Sequence, residues 1–281
     1  MSDIVFIADF FAEEIVGGGE LNNQELIQLL RQQGHNVTNI KSLNVTPDYL
    51  NQLNADTKFI VSNFIQLAEQ CKKILENDKS YVIYEHDHKY IKSRNPAEYD
   101  NYTAPPEELI NLSFYKNAKA TLCQSSFHKS IVQRNIAEVH IVNLSGNLWS
   151  TDVLDFIEHL SHKNKKDSCS IMVSNNWHKN TKDAVLYCKA KDINFDLILP
   201  SVYQEFLERL SDNDKFIFFP KTPETLSRVV VESRMCGMKV VTNKNVGATY
   251  EPWFELKGID LINHMRNKRQ QIPQIVLDSY E

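Results

Sequence analysis

Short apolar runs alternating with longer stretches of helical periodicity constrain this chain most. Residues 4–8, 36–40, 59–62 and 81–84 read as strands, and residues 20–33 and 64–75 between them as helices. This alternation predicts a parallel α/β sheet, because each parallel strand needs a crossover before the next. The pattern continues with a helix at 109–116, a strand at 120–124, a helix at 126–135 and a strand at 139–142. It breaks at 143–149, around Gly146, and resumes. Helices follow at 151–162, 183–190, 202–210, 225–236 and 259–268, with strands at 170–174, 195–199, 215–219 and 239–242. The 281 residues thus read as α/β, two Rossmann-like βα-repeat domains in a compact version, 1–145 and 146–281. Their strand C-terminal ends are expected to border a ligand cleft.

Glycine is scarce, 8 residues in 281, where average usage gives about 20. Three of the eight, Gly17, Gly18 and Gly19, stand together between the first strand and the first helix. Backbone without a Cβ lets a ligand approach closely there, and helix N–H groups point at it. The cluster is not G-x-G-x-x-G, since the sixth position counted from Gly17 is Asn22, and no Gly-Lys-Ser/Thr follows to make a Walker loop. It reads either as a loop beside a diphosphate or sugar, or as a flexible βα loop with no ligand.

Charge and cysteines exclude further classes. Residues 1–150 hold 13 Lys+Arg against 18 Asp+Glu, and residues 151–281 hold 18 of each. Neither half is basic, so no nucleic-acid partner is expected. Nothing argues strongly for docking on anionic lipid, and a weak peripheral membrane contact stays open. The five cysteines form no C-x-x-C pair and are odd in number, which fits a reducing, cytoplasmic setting better than a disulfide or zinc scaffold. No apolar run is long enough to span a bilayer. No metal is expected either: Asp212, Asn213 and Asp214 imitate a D-x-D motif but sit between a helix and a strand and read as a surface turn.

The most informative segment runs from 218 to 241. A strand enters a loop carrying Pro220 and Pro223, and a helix is expected to open near Thr225. Glu224 stands just before that helix and Glu232 inside it. Eight residues separate them, or about 12 Å along a helix axis. That span suits two ends of one extended ligand, not one shared proton. Amides at Thr225 and Leu226 could meet phosphate. Glu232 lies among Val229, Val230, Val231 and Met235, and a carboxylate in so apolar a helix needs a partner.

Glu224-x7-Glu232, followed by Cys236, Gly237 and the strand at 239–242, resembles the E-x7-E region of retaining glycosyltransferases with the two-domain GT-B fold, especially glycosyltransferase family 4. The opening is similar as well: strand, glycine loop with Glu20, helix, then Leu30, Gly34, His35 and Val37. So is the segment 118–126 with His128. The resemblance implies a nucleoside-diphosphate sugar as co-substrate, no cofactor, and a glycan, lipid-linked or small-molecule acceptor. It implies that Glu232 holds the ribose hydroxyls and that Glu224 contacts the donor sugar, with Thr225 and Leu226 near the diphosphate. Gly18 and Gly19 would lie by the diphosphate and acceptor, His86 against the donor sugar, Lys179 on the diphosphate, and Gly247 on a donor-side loop.

Departures from the family are visible. The upstream arginine that usually accompanies the lysine is absent from 173–176, and Arg228 or Lys221 would have to substitute. The span between residues 199 and 215 is short by about one strand–helix unit. A GT-B-like nucleotide-sugar epimerase and a catalytically weak nucleotide-sugar-binding protein stay open as alternatives.

Overall fold

The computed structural model describes residues 2–15 and 17–281. The chain divides into two compact units, Met1–Leu148 with Lys268–Glu281, and Trp149–Asn267.

The first unit runs β1 (Asp3–Ala8), α1 (Gly18–Gln32), β2 (Asn36–Lys41), α2 (Pro47–Gln52), β3 (Lys58–Val61), α3 (Glu69–Asp78) and β4 (Ser80–Tyr84). A long segment with three short 3-10 turns leads to α4 (Leu112–Asn117), β5 (Thr121–Cys123), α5 (Ser126–Asn135) and β6 (Ile141–Asn143). The six strands lie in the order β2-β1-β3-β4-β5-β6, and every pair is parallel. A parallel sheet is covered on both faces, so its strands are apolar on both sides. Val5, Ile7, Phe59, Val61, Tyr81 and Ile83 pack on one face. Ile4, Phe6, Ala8, Ile60, Val82 and Tyr84 pack on the other. The strand order reverses at β1 and β3, and it is past the C-terminal ends of such strands that open α/β sheets commonly take ligands.

Local chemistry sets several boundaries. Gly34 takes φ +88°, and its N–H bonds the Arg31 carbonyl while that of His35 bonds Leu30, a Schellman end to α1. Ser125 caps α5 through the His128 N–H, and Thr46 caps α2 ahead of Pro47. The helix expected from residue 64 begins only at Glu69, because the buried Asp9 carboxylate takes the Ile65 and Gln66 amides at 3.0 Å and holds a turn there.

The second unit runs α6 (Thr151–Ser161), β7 (Lys166–Met172), α7 (Thr181–Ala190), β8 (Phe195–Ile198), α8 (Tyr203–Leu210), β9 (Asn213–Phe218), α9 (Arg228–Met235) and β10 (Lys239–Thr242). Its four strands, β10-β9-β7-β8, are also all parallel. Phe216, Phe218, Leu226, Val230 and Val231 build one core, and Cys169, Ile171, Cys188 and Ile217 a smaller one.

The last helix, α10 (Ile259–Asp278), continues ten residues beyond the sequence expectation and contains Pro273. Its first half packs in the second unit through Leu261, Ile262 and Met265. Residues 268–281 pack with the first unit instead, where Ile272, Val276 and Tyr280 join the sheet core. The Tyr280 hydroxyl donates to the Phe59 carbonyl at 2.7 Å, and Arg269 pairs with the largely buried Glu25.

Candidate functional site

In the first unit, polar side chains gather past the strand C-terminal ends. His86 lies two residues beyond β4. Its Nε2 stands 2.9 Å from the Asn23 Oδ1, and the Gln124 amide, just past β5, donates to its Nδ1. Asn23 also donates to the Ser62 hydroxyl at 2.9 Å. Its neighbour Asn22 donates to the Tyr84 hydroxyl at 2.6 Å and accepts from the Leu148 amide at 2.8 Å. Both asparagines are fully buried on α1. Gly18 opens α1, and a Cβ on Gly19 would stand 3.6 Å from the His86 ring. Burial, with the Lys89 charge behind it, pushes the His86 pKa down to about 4, so the imidazole is neutral at pH 7.

Behind His86 stands a buried charge cluster. The Glu85 carboxylate accepts from the His86 and Asp87 amides at 3.0 and 2.9 Å, from the Lys89 ammonium at 2.9 Å and from the Tyr115 hydroxyl. Lys89 also reaches Asp87 at 2.5 Å. Burial pushes the Glu85 carboxyl up, but the Lys89 ammonium and the Tyr115 hydroxyl more than offset this and hold it well below the usual carboxylate range. Among the described residues no group of three or more His, Cys, Asp or Glu is placed to hold a metal ion. At Glu85 and Asp87 the cation is an ammonium.

The second unit carries the carboxylate pair. Lys179, on a 3-10 turn after β7, places its Nζ 2.7 and 2.9 Å from the two oxygens of Glu224. Glu232 on α9 is buried to 2% exposure. Its Oε1 accepts from the Trp149 indole at 2.9 Å and the Tyr203 hydroxyl at 2.6 Å, and the Arg228 Nε stands 3.5 Å away. The Arg228 guanidinium lies 4.4 Å over the Trp149 ring. The partner that an apolar helix demands for its carboxylate is thus supplied three times. Burial and the Glu232 charge push the Tyr203 hydroxyl up.

One expectation is corrected. The helix does not open near Thr225 but at Arg228, after Ser227 in a left-handed conformation at φ 75°. Glu224 instead bridges Val246 as a short parallel strand. Its N–H bonds the Asn245 carbonyl at 2.7 Å, its carbonyl takes the Gly247 N–H at 2.9 Å, and the Leu226 carbonyl takes the Ala248 N–H at 3.0 Å. Gly247 therefore fastens the following loop to Glu224. Thr225 is half-buried, and the Leu226 side chain is core. The structure brings together Lys179 with Glu224, Arg228 with Glu232, and Gly19 with His86.

The sequence reading missed Asn22, Asn23 and Gln124 around His86, Lys89 behind it, and Trp149 and Tyr203 on Glu232. The one local signal was the Asn22–Asn23 pair on the face of α1 that carries Leu26, Leu29 and Leu30. Asp212 and Asp214, flanking the start of β9, are held by Lys163 and Lys215 at 2.9 and 3.2 Å.

No protein-family model matches the chain, and no curated protein matches it by sequence. Among solved structures it is similar to an α-glucosyltransferase in complex with UDP and a 13-mer DNA containing an HMU base, at 14% identity over 99% of this chain and 92% of that one, with a TM-score of 0.53. It is similar to an α,α-trehalose-phosphate synthase (UDP-forming) from Burkholderia vietnamiensis, at 10% identity over 99% and 96%, TM-score 0.53. It is also similar to Anabaena Alr3699/HepE in complex with UDP, at 14% identity over 99% and 93%, TM-score 0.53. At such identities the likeness shows the fold alone: two Rossmann-like domains, as in GT-B glycosyltransferases.

The expectation of no nucleic-acid partner is overturned by the same comparison. It rested on the absence of a basic half, yet an α-glucosyltransferase of this fold is seen with DNA. Net charge averages over a surface, whereas a nucleic acid meets local groups, so the charge balance does not decide the matter. No described helix is long and apolar enough to cross a membrane.

Proposed function

We propose that this chain is a retaining, family 4-like glycosyltransferase that moves a sugar from a nucleoside-diphosphate sugar to an acceptor hydroxyl, with no resident metal or cofactor. The observation that carries the reading is the pairing of Lys179 with Glu224 together with the Glu232–Arg228–Trp149 cluster in the same α/β unit. Transfer needs charge relief on the leaving diphosphate, and Lys179, Arg228 and the amides opening α9 are the groups suited to it. An arriving diphosphate competes with Glu224 for Lys179, which frees the Glu224 carboxylate for the sugar hydroxyls. Thr225, Leu226 and Gly247 line that contact, and Glu232 takes the ribose. In the first unit the reading assigns His86 to the sugar and Gly18 and Gly19 to the diphosphate and acceptor.

The chemistry proposed is the family's retaining route, which needs no protein nucleophile and differs from the two carboxylates that flank the bond in a retaining hydrolase. The acceptor oxygen attacks from the leaving-group face. The anomeric carbon–oxygen bond to the diphosphate breaks as the new glycosidic bond forms, and the departing phosphate oxygen takes the acceptor proton.

The test is titration calorimetry with UDP, the nucleotide bound in several structures of this fold. Glu232→Ala removes a charge-assisted bond to ribose of about 1.5–3 kcal/mol, so UDP binding should weaken on the order of 10- to 100-fold. Glu232→Gln keeps the side-chain shape and should show most of the same loss. Unchanged binding in both variants would refute the nucleotide site. The acceptor panel should hold glycans, lipid-linked sugars, small alcohols and DNA with hydroxymethylated bases.

A further inference from the structure

We infer that Asn23 and Gln124 are positioning residues that lock His86 as the neutral imidazole with its proton on Nε2, so that the ring acts through shape and a fixed dipole and not through proton transfer. The proposal rests on the glycosyltransferase reading only in assigning His86 to the sugar.

The Ser62 hydroxyl stands 2.9 Å from the Asn23 Nδ2 and 3.1 Å from its Oδ1, and that Oδ1 stands 2.9 Å from His86 Nε2. A carbonyl oxygen only accepts, so Nε2 bears the hydrogen. On the other side, the Gln124 Nε2 faces both the Glu85 carbonyl, at 3.3 Å, and His86 Nδ1. An amide nitrogen only donates, so Nδ1 must present its lone pair. Flipping Gln124 to accept a proton from Nδ1 would set its oxygen against the Glu85 carbonyl oxygen, two acceptors face to face. Leaving it unflipped would set two donors together in a buried place, each costing about 1–3 kcal/mol. Either way the imidazolium has no hydrogen-bond pattern to fit.

The charged surroundings do not undo this. On its own loop, Glu85 and Asp87 favour a charged ring, but both are engaged by Lys89, which opposes it. From α5, His128 is itself held neutral by burial. From α1, the Glu20 carboxyl is raised by burial. The loop after β3 contributes Ser62, bonded to Asn23, and Asn63, bonded to Glu20. From β4 the Tyr84 ring lies 4.9 Å from His86, with its hydroxyl taking the Asn22 amide. Gly19 closes the ring face, since a Cβ there would stand 3.6 Å from it.

The test is ¹⁵N–¹H NMR of the full chain with labelled histidine, His86 being assigned from the peak set missing in His86→Gln. The lock predicts the Nε2–H tautomer pattern, unchanged from pH 5 to 9. In Gln124→Glu a carboxylate accepts from Nδ1–H, and the ring should titrate within pH 5–9. Asn23→Asp should move it the same way if Gln124→Glu does not fold. A wild-type His86 that titrates near 6.5, or shows the Nδ1–H form, overturns the lock. Turnover of nucleotide sugars separates the two readings. Failure of the tautomer pattern with intact turnover overturns the lock alone. A retained pattern with no turnover on any donor supports the lock and goes against the transferase. Where turnover is present, its pH profile should gain a limb in Gln124→Glu that wild type lacks.

Discussion

Lys89→Met is the sharpest probe of what holds the first unit's site in shape. The Lys89 Nζ stands 2.9 Å from Glu85, and the two side chains are 1% and 0% exposed. At an effective dielectric of 20 that separation is worth about 6 kcal/mol of attraction. Removing the ammonium does not forfeit all of it, because the carboxylate keeps the His86 and Asp87 amides and the Tyr115 hydroxyl. An orphaned buried charge costs about 3–5 kcal/mol, so that is the expected loss at pH 7. In hydrogen exchange the most protected β4 and β5 amides should then open roughly 10²- to 10⁴-fold more often. Tryptophan fluorescence is the wrong probe, since Trp149, Trp177 and Trp253 all lie in the second unit. The sign with pH is also fixed. Glu85 is held below its ordinary 4.5 in the folded chain, so its contribution is complete above that value and is lost as pH falls. In Lys89→Met burial loses its main opponent and pushes the carboxyl up, against the Tyr115 hydroxyl and the two amides that remain. It takes a proton, needs no partner, and the deficit shrinks between pH 7 and 4. Glu85→Gln with Lys89→Met should recover part of the loss at pH 7. A deficit under about 1 kcal/mol, or one that grows with acid, would refute the reasoning.

Three further outcomes are expected. Trp149→Phe keeps a ring under Arg228 but removes the indole donor from buried Glu232, which should cost about 1–3 kcal/mol in denaturant unfolding followed by the remaining tryptophans. Lys179→Met should lower nucleotide-sugar turnover about 10²- to 10³-fold, yet shift thermal stability by under about 1 kcal/mol, because the pair is partly exposed. Gly34→Ala meets open space but keeps φ +88°, so a melting curve should show a loss of about 1–2 kcal/mol from backbone strain alone.

What could be read in the sequence was local. The Gly34 stop of α1, the span of α5 and the span of β10 follow from periodicity and capping within a few residues. What escaped was set from a distance. Asp9 captures the amides of residues 65 and 66 and delays α3. The loop at 245–248 draws residues 224–226 into an extended bridge and delays α9 to Arg228. Residues 268–281 pack with the first unit because Ile272, Val276 and Tyr280 are apolar at helical spacing and complete the core on β1, β3 and β4. The site divides in the same way. Glu224 and Glu232 were legible as a spaced pair, whereas Asn23 and Gln124 meet at His86 from positions far apart in the chain.

The two units gather different chemistry, and this makes the acceptor class testable. The second unit offers Lys179, Arg228, Glu224 and Glu232, groups suited to a charged diphosphate and its ribose. Around His86 the first unit offers a neutral imidazole held by Asn23 and Gln124, suited to uncharged hydroxyls. Charged and neutral contacts respond differently to salt: exposed charges are screened beyond about 8 Å at 0.15 M, while neutral hydrogen bonds are nearly indifferent. On the proposed reading UDP affinity falls as salt rises from 50 to 200 mM. An uncharged glycan acceptor then keeps its affinity over the same range. A DNA acceptor does not, because each neutralised duplex phosphate contributes about −0.9 to the slope of log K against log salt. A saturable acceptor with a slope steeper than about −3 would set aside the uncharged-acceptor assignment and place nucleic acid in its stead, whatever the net charge of the chain.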